Sequence, residues 1–261
     1  MRANRWKPWH SDQVNQGETI AGKAPPGLFH TTHWSVVLRA SGSAPDQFQA
    51  LEELCRTYWP SLFGFLRSEG RSPQEAEDLV QGFFERFLAH DYLRGVNPDK
   101  GRFRSFLLAC LRHYSANVRR DGLAQRRGGR IVHLDINEPG VSARCEAAVQ
   151  SEPGPEMVFD RIWAETLMHN AAQRLRSEFV NSGRGELYEK IRVWLASEPR
   201  AGEYASVSEV LRLTEGAVAT AVHRMRQRYR QLVRAEVAHT VQSPDELADE
   251  MRYLLAVLTA V

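Results

Sequence analysis

The stretch YASVSEVLRLTEGAVATAVHRMRQRYRQLVR, residues 204–234, carries apolar residues at spacings of three and four, interrupted once in the middle. Val207, Val210 and Leu211 make the inner face of a short helix, and Leu213 lies in the turn. Thr214 can cap a second helix, with Glu215 in the first turn, where the helix dipole favours a carboxylate. That second helix buries Val218, Val222, Met225, Tyr229 and Leu232. Residues placed at about 100° intervals leave Gly216, Ala219, Thr220, His223, Gln227 and Arg230 on the opposite face, flanked by Arg224 and Arg226. The pattern predicts a helix-turn-helix. In such a motif the front of the second helix meets base edges in the major groove, and later arginines hold phosphates. Ala219, Thr220 and His223 are then the candidate base readers, and Arg224, Arg226 and Arg230 the candidate backbone or base contacts. Alone, the segment reads equally as a solvated basic helix of a bundle.

The same helical period fills most of the chain and strand signals are almost absent, so the fold class is all-α. Residues 1–28 read as a loose tail. Thr31 and Thr32 can cap a short helix that turns Trp34 inward. A helix over about 45–69 carries Leu51, Leu54, Tyr58, Leu62 and Phe65 on one side. Ser72-Pro73 starts another, and Gly101 precedes one through about Arg120. Glycines, prolines and polar residues dominate 121–157, which reads as an interdomain linker. Periodicity resumes from Met157 to about Phe179, and further helices are expected at 184–197, 204–211 and 214–240. Ser243-Pro244-Asp245-Glu246 starts a last helix in capping-box style, with a stripe of Leu247, Met251, Leu254, Leu255 and Leu258. The organisation expected is two small helical domains, 29–120 and 157–240, a flexible linker at 121–156, and an amphipathic helical extension at 241–261.

The bulk numbers exclude several classes. The formal net charge of +2 rules out a histone-like coat of positive charge. No run of about 18 apolar residues occurs, and 1–22 lacks the apolar core of a secretory signal, so neither membrane insertion nor export is expected. The three cysteines, Cys55, Cys110 and Cys145, are far apart and form no CxxC pair. They suggest neither zinc nor a disulfide framework, and a reducing cytoplasm fits. No Gly-rich phosphate loop, nucleophile motif or ligand cluster points to an enzyme or to a cofactor. The His30/His33 pair lacks further nearby ligands.

Charge is nevertheless segregated. The helix that starts at Ser72-Pro73 and its surroundings are acidic: Asp46, Glu52, Glu53, Glu69, Glu75, Glu77, Asp78 and Glu85. The next helix and linker are basic: Arg94, Lys100, Arg102, Arg104, Arg112, Arg119, Arg120, Arg126, Arg127 and Arg130, opposed only by Asp99 and Asp121. Phe103, Phe106, Leu107, Cys110, Leu111, Tyr114 and Val118 share a broad inner face there, while Ser105, Arg112, Ala116, Arg119 and Arg120 point outward. Cations meet phosphates and rings stack on unpaired bases, so basic residues interleaved with aromatics suit nucleic acid; the competing reading is that Phe103, Phe106 and Tyr114 are simply core, and for Phe106 and Tyr114 it is the stronger one. The acidic helix, with Ala76, Leu79, Val80, Phe83 and Phe87 inward, would repel DNA. It reads equally as a dock for a basic protein partner and as a solvated face.

These segments together resemble a known family. Glu75-Ala76-Glu77-Asp78-Leu79-Val80-Gln81, followed by Phe83-Phe84 and Phe87, is similar to the core-polymerase-binding segment of bacterial sigma factors. Phe103-Arg104-Ser105-Phe106-Leu107 through Asn117-Val118-Arg119-Arg120 resembles their promoter-melting and −10-reading helix. Leu213-Thr214-Glu215-Gly216-Ala217-Val218 and Val222-His223-Arg224-Met225-Arg226 resemble their −35-reading helix-turn-helix. The order matches the extracytoplasmic-function (ECF) group, which keeps only the second and fourth sigma domains. Phe29-His30-Thr31-Thr32-His33-Trp34-Ser35, Arg126-Arg127-Gly128-Gly129 and Glu250-Met251-Arg252-Tyr253-Leu254-Leu255 suggest a long-chain subgroup with a C-terminal extension. Two departures stand out. The family usually has glycine in the turn, where this chain has Arg212; a left-handed residue there costs about 1–2 kcal/mol. It also commonly has basic or polar residues where Ala219 and Ala221 stand.

The resemblance implies a transcription initiation factor that binds core RNA polymerase and promoter DNA. It implies polymerase contacts at Glu75, Asp78, Leu79, Gln81 and Phe84. It implies −10 contacts at Arg104, Ser105, Arg112, Asn117, Arg119 and Arg120. The −35 contacts would be Thr214, Glu215, Ala219, Thr220, His223, Arg224, Arg226 and Arg230. Binding free energy would offset an unstacking cost of a few kcal/mol. The polymerase supplies the catalytic magnesium, so no metal and no cofactor are expected in this chain. An anti-sigma factor or other regulator is a further partner the resemblance admits. The C-terminal helix either folds back on the second sigma domain or serves as a regulatory latch or docking site. Two other classes compete: a helix-turn-helix regulator acting without polymerase, and an all-helical interaction module.

Overall fold

The structure is a computed structural model that describes residues 45–88, 102–121, 141–152, 154–241 and 243–259. The expected 1–28 tail, the Thr31/Thr32 helix, the His30/His33 pair and Arg126-Arg127-Gly128-Gly129 lie outside the described residues. Among those described, the chain forms nine α-helices, one 3₁₀ turn and no strand, an all-α fold. The helices are α1 Pro45–Ser68, α2 Pro73–Leu88, α3 Phe103–Asp121, α4 Val141–Ser151, α5 Pro155–Asn181, α6 Gly185–Ile191, α7 Glu203–Leu211, α8 Glu215–Ala238 and α9 Pro244–Thr259, with the 3₁₀ turn at Arg192–Leu195. They divide into two compact units, one from 27–166 with 237–258 and one built on 167–236.

The first unit is organised around α1, whose Leu54, Tyr58, Leu62, Phe65 and Leu66 are buried. Ala76, Val80, Phe83, Phe84 and Phe87 of α2 and Phe103, Leu107, Leu111 and Tyr114 of α3 complete this core. Edge contacts tie the aromatic side chains together: Tyr58 meets Phe103 edge-on at 5.3 Å between centroids, and Phe83 lies 6.0 Å from Tyr114. Each large side chain buried this way contributes roughly 1.5–3 kcal/mol. A Cβ added to Gly82 would stand 2.4 Å from the Tyr114 hydroxyl, so α2 and α3 approach closely only because that position is glycine.

A helix stands inside the 121–156 stretch that sequence reads as linker. Val141, Cys145 and Ala148 of α4 are buried, Arg67 of α1 pairs with Glu146 at 2.7 Å, and the Cys145 thiol donates to the Pro60 carbonyl at 3.5 Å. Burial pushes this thiol up to about 12, so it stays protonated at neutral pH. The reason for the difference is that the proline and glycines around this stretch flank α4 rather than interrupt it, so its short apolar stripe can dock on α1.

In the second unit α8 is tied to the latter part of α5. Val218, Val222, Met225, Tyr229 and Leu232 are all buried, the stripe expected from the period. Tyr229 donates its hydroxyl to the Met168 carbonyl at 3.1 Å, Tyr188 donates to the Ala172 carbonyl at 3.3 Å, and Arg228 grips Glu178 with both Nε and Nη2. Glu236 is buried and takes a 2.6 Å bond from Arg174. The inner face expected for the short helix needs correction: α7 has no buried residue, and Val210 is 57% exposed. Contacts at its N-terminal end secure α7 instead. The Tyr204 ring meets Trp194 edge-on at 5.0 Å, and the Trp194 indole N–H donates to Glu203 at 3.1 Å.

Candidate nucleic-acid interface

The acidic face of the first unit is set by the start of α2. Ser72 and Glu75 form a reciprocal capping box. The Ser72 N–H donates to the Glu75 carboxylate at 2.9 Å, and the Glu75 N–H donates to Ser72 Oγ at 3.3 Å. The bonds from the Ser72 backbone and hydroxyl hold the Glu75 carboxyl below its ordinary range. Asp78, one turn on, is exposed and accepts a 3.0 Å bond from Gln74. Leu79 and Gln81 are half-buried. Phe84, expected as a polymerase contact, is fully buried in the core of the unit, so its ring is not part of this face. Two adjacent phenylalanines are buried together because α2 is flanked by both α1 and α3.

The outward side of α3 presents Ser105, Arg112 and Arg119, all exposed. Arg112 also pairs with Glu156 of α5 and lies 5.1 Å from the Phe65 ring. Asn117 is half-buried, with its amide 3.3 Å from the His113 ring nitrogen. The Arg120 side chain lies outside the described residues. Arg104 departs from the expectation of a DNA contact. It is 5% exposed, its guanidinium facing Asp160 at 3.2 Å and Glu250, and it is stacked over the rings of Trp163 and Tyr253. Burial lowers its pKa, countered by Asp160. The local sequence gives no sign of this, because both carboxylates come from distant helices.

In the second unit the turn between α7 and α8 places Arg212 at φ 53° and ψ 39°, in the left-handed region. It is the only described non-glycine residue there. The Leu213 N–H donates to the Ser208 carbonyl at 3.0 Å, closing the end of α7. Thr214 caps α8 by accepting a 3.2 Å bond from the Ala217 N–H. Glu215, Thr220, His223, Arg224 and Arg230 are exposed, and Ala219 is half-buried. The Thr220 hydroxyl turns back to the Gly216 carbonyl at 2.8 Å. Arg226 differs from the role expected of it. Its guanidinium donates to the carbonyls of Trp194 and Ser197, each at 2.7 Å, and pairs with Glu198 at 3.1 Å. It therefore closes the C-terminal end of the 3₁₀ turn, whose orphan carbonyls need donors.

Thus an exposed acidic helix start and an exposed basic helix face share one compact unit, while a capped helix with exposed polar residues lies in the other. Residues 54–126 match the family described as Sigma-70 region 2, so this part of the chain is similar to a sigma-70 region 2 domain. That domain supports a role in binding RNA polymerase and recognising promoters. No curated protein and no solved structure matches the chain. Among the described residues no helix is long and apolar enough to cross a membrane.

Proposed function

We propose that the chain is a non-enzymatic sigma factor of the ECF group with a C-terminal extension, working on cytoplasmic core RNA polymerase. The observation that carries the reading is the sigma-70 region 2 match at 54–126, which spans α2 and α3. In this reading Glu75 and Asp78 of α2 meet a basic surface of the polymerase. Ser105, Arg112 and Arg119 of α3, with Asn117 and Arg120, meet the −10 element as it opens. The helix-turn-helix α7–α8 docks on the −35 element with Thr220, His223 and Arg224 foremost, and Arg230 further along. The half-buried Ala219 offers only an apolar contact, so readout at that point falls on shape and methyl groups.

Run-off transcription with purified core polymerase on a random promoter library tests the class and returns the promoter at once. Specific initiation that depends on the chain is the expected result; none at any template overturns the reading. Reversing the charge of the exposed Asp78, as Asp78→Lys, separates it from a regulator acting alone. Polymerase association should be lost while DNA binding by the isolated chain persists.

A further inference from the structure

We propose that the C-terminal helix α9 is a working part of the promoter-opening unit, with Glu250 a positioning residue that acts through Arg104 to set the first turn of α3. The inference rests on the sigma reading above. The Glu250 side chain is 1% exposed and faces both Arg104 and, at 3.1 Å, Arg102. Arg104 is held from a second side by Asp160 of α5 at 3.2 Å, and from its faces by the Tyr253 ring at 4.3 Å and the Trp163 ring at 4.7 Å. Tyr253 in turn bonds through its hydroxyl to Asp160.

The rest of α9 is fastened along its length. Ser243 caps its start by accepting from the Glu246 N–H at 3.2 Å, Leu247 and Leu254 are buried, and Arg161 of α5 donates to the carbonyls of Val257 and Leu258. A helix tied down in this way is not a loose tail on the unit.

The consequence falls on α3. Arg104 is its second residue, and the exposed Ser105 follows directly. Without the Glu250 carboxylate, a guanidinium stays buried against two rings with one carboxylate in place of two. Removing one carboxylate from a buried ion cluster leaves the guanidinium less well compensated, and the nearest relief is for the first turn of α3 to fray until Arg104 reaches water. That movement shifts Ser105 and leaves the Asp78 face of α2 in place. Opening would suffer while polymerase binding would not.

The test uses full-length wild type, Glu250→Gln, Glu250→Asp and Tyr253→Phe, each assembled with core polymerase on a promoter selected from a random library. Core affinity is read by anisotropy of the labelled chain, and opening by 2-aminopurine fluorescence in the non-template −10 strand. Glu250→Gln should bind core as wild type does, yet open about tenfold more slowly, equivalent to roughly 1.4 kcal/mol. Glu250→Asp should recover most of the rate, and Tyr253→Phe should fall between. Parallel loss of core affinity and opening in the variants overturns the proposal in favour of a general structural role. Opening as fast as wild type or faster, in Glu250→Gln or in a chain lacking 243–261, also overturns it, because α9 would then be idle or a restraint. Should circular dichroism show Glu250→Gln unfolded, Tyr253→Phe decides by the same split. An inert wild type overturns the sigma reading itself; an active wild type with an unaffected Glu250→Gln overturns only this inference.

Discussion

Arg226 is tied to the backbone of Trp194: its Nε donates to the Trp194 carbonyl at 2.7 Å, while Nη2 reaches Ser197 and Nη1 pairs with Glu198. Its neighbour Arg224 is exposed on the same helix. Two arginines two residues apart therefore have different work. Arg226→Ala should destabilise the unit by about 1.5–3 kcal/mol, the usual worth of hydrogen bonds from a charged donor, seen as a lower urea midpoint. The salt dependence of its DNA binding should stay as in wild type. Arg224→Ala should do the reverse. Its urea midpoint should hold while the slope of log K against log salt falls by about 0.9, the value for one lost phosphate contact. Equal slopes for wild type and Arg224→Ala would remove Arg224 from the phosphate-contacting set.

The left-handed Arg212 is a point of stored strain at the α7–α8 turn. Its side chain is exposed, so nothing in the packing requires arginine there. A left-handed L-residue costs roughly 1–2 kcal/mol, against which glycine loses about 0.5–1 kcal/mol of extra chain entropy on folding. Arg212→Gly should therefore stabilise the chain by about 0.5–1 kcal/mol, measured by thermal unfolding. A lower melting temperature would mean that Arg212 makes compensating contacts in solution.

Acid should loosen the first turn of α2. The Glu75 carboxyl is held below its ordinary value by the bonds from Ser72, so it binds fewer protons folded than unfolded. The stability it contributes is then fully present above the unfolded value near 4.5 and is lost as pH falls through the lower folded value. Glu178, Glu189 and Glu203 are lowered in the same direction, by Arg228, by Arg176 and by the Arg200 N–H respectively. Urea midpoints should stay level from neutral pH down to about pH 5 and drop below it. Glu75→Gln, which keeps an acceptor for the capping box but carries no charge, should show a shallower acid limb. An identical limb would place the acid sensitivity elsewhere.

What could be read from the sequence follows the range of the forces involved. Helix periods and caps are local, so the buried stripe of Val218, Val222, Met225, Tyr229 and Leu232, the Thr214 cap and the Ser243 cap were all legible. Arg104 and Arg226 were not, because an arginine on a basic helix looks the same whether it meets phosphate or a partner far along the chain. Glu250 and Asp160 are such partners for Arg104, and the Trp194 carbonyl is one for Arg226. The burial of Phe84 is hidden for a related reason: a single inner face cannot describe a helix buried on two sides. The Val141, Cys145 and Ala148 spacing of α4 was a helical signal, masked by the glycines and prolines around it.

Gly64 of α1 lies directly against the Ile162 side chain of α5. A Cβ built on Gly64 would stand 2.1 Å from Ile162 Cδ1, with Val158 Cγ1 at 3.4 Å and Ile162 Cγ1 at 3.6 Å behind it. All of this lies in the core, where Leu62, Val158, Ile162 and Trp163 are buried. The first atom met is the end of a side chain, which can turn, but a close-packed interior gives it little room. Gly64→Ala should therefore cost about 1–3 kcal/mol, the range for an overpacked core. Ile162→Val removes the Cδ1 that clashes and by itself should cost about 0.5–1.5 kcal/mol. Combined, the two should cost less than their sum, since the second substitution opens the space that the first needs. Urea titrations of the two single variants and the double variant measure this directly. Strict additivity would mean that α1 and α5 separate to admit the methyl group rather than that Ile162 yields to it.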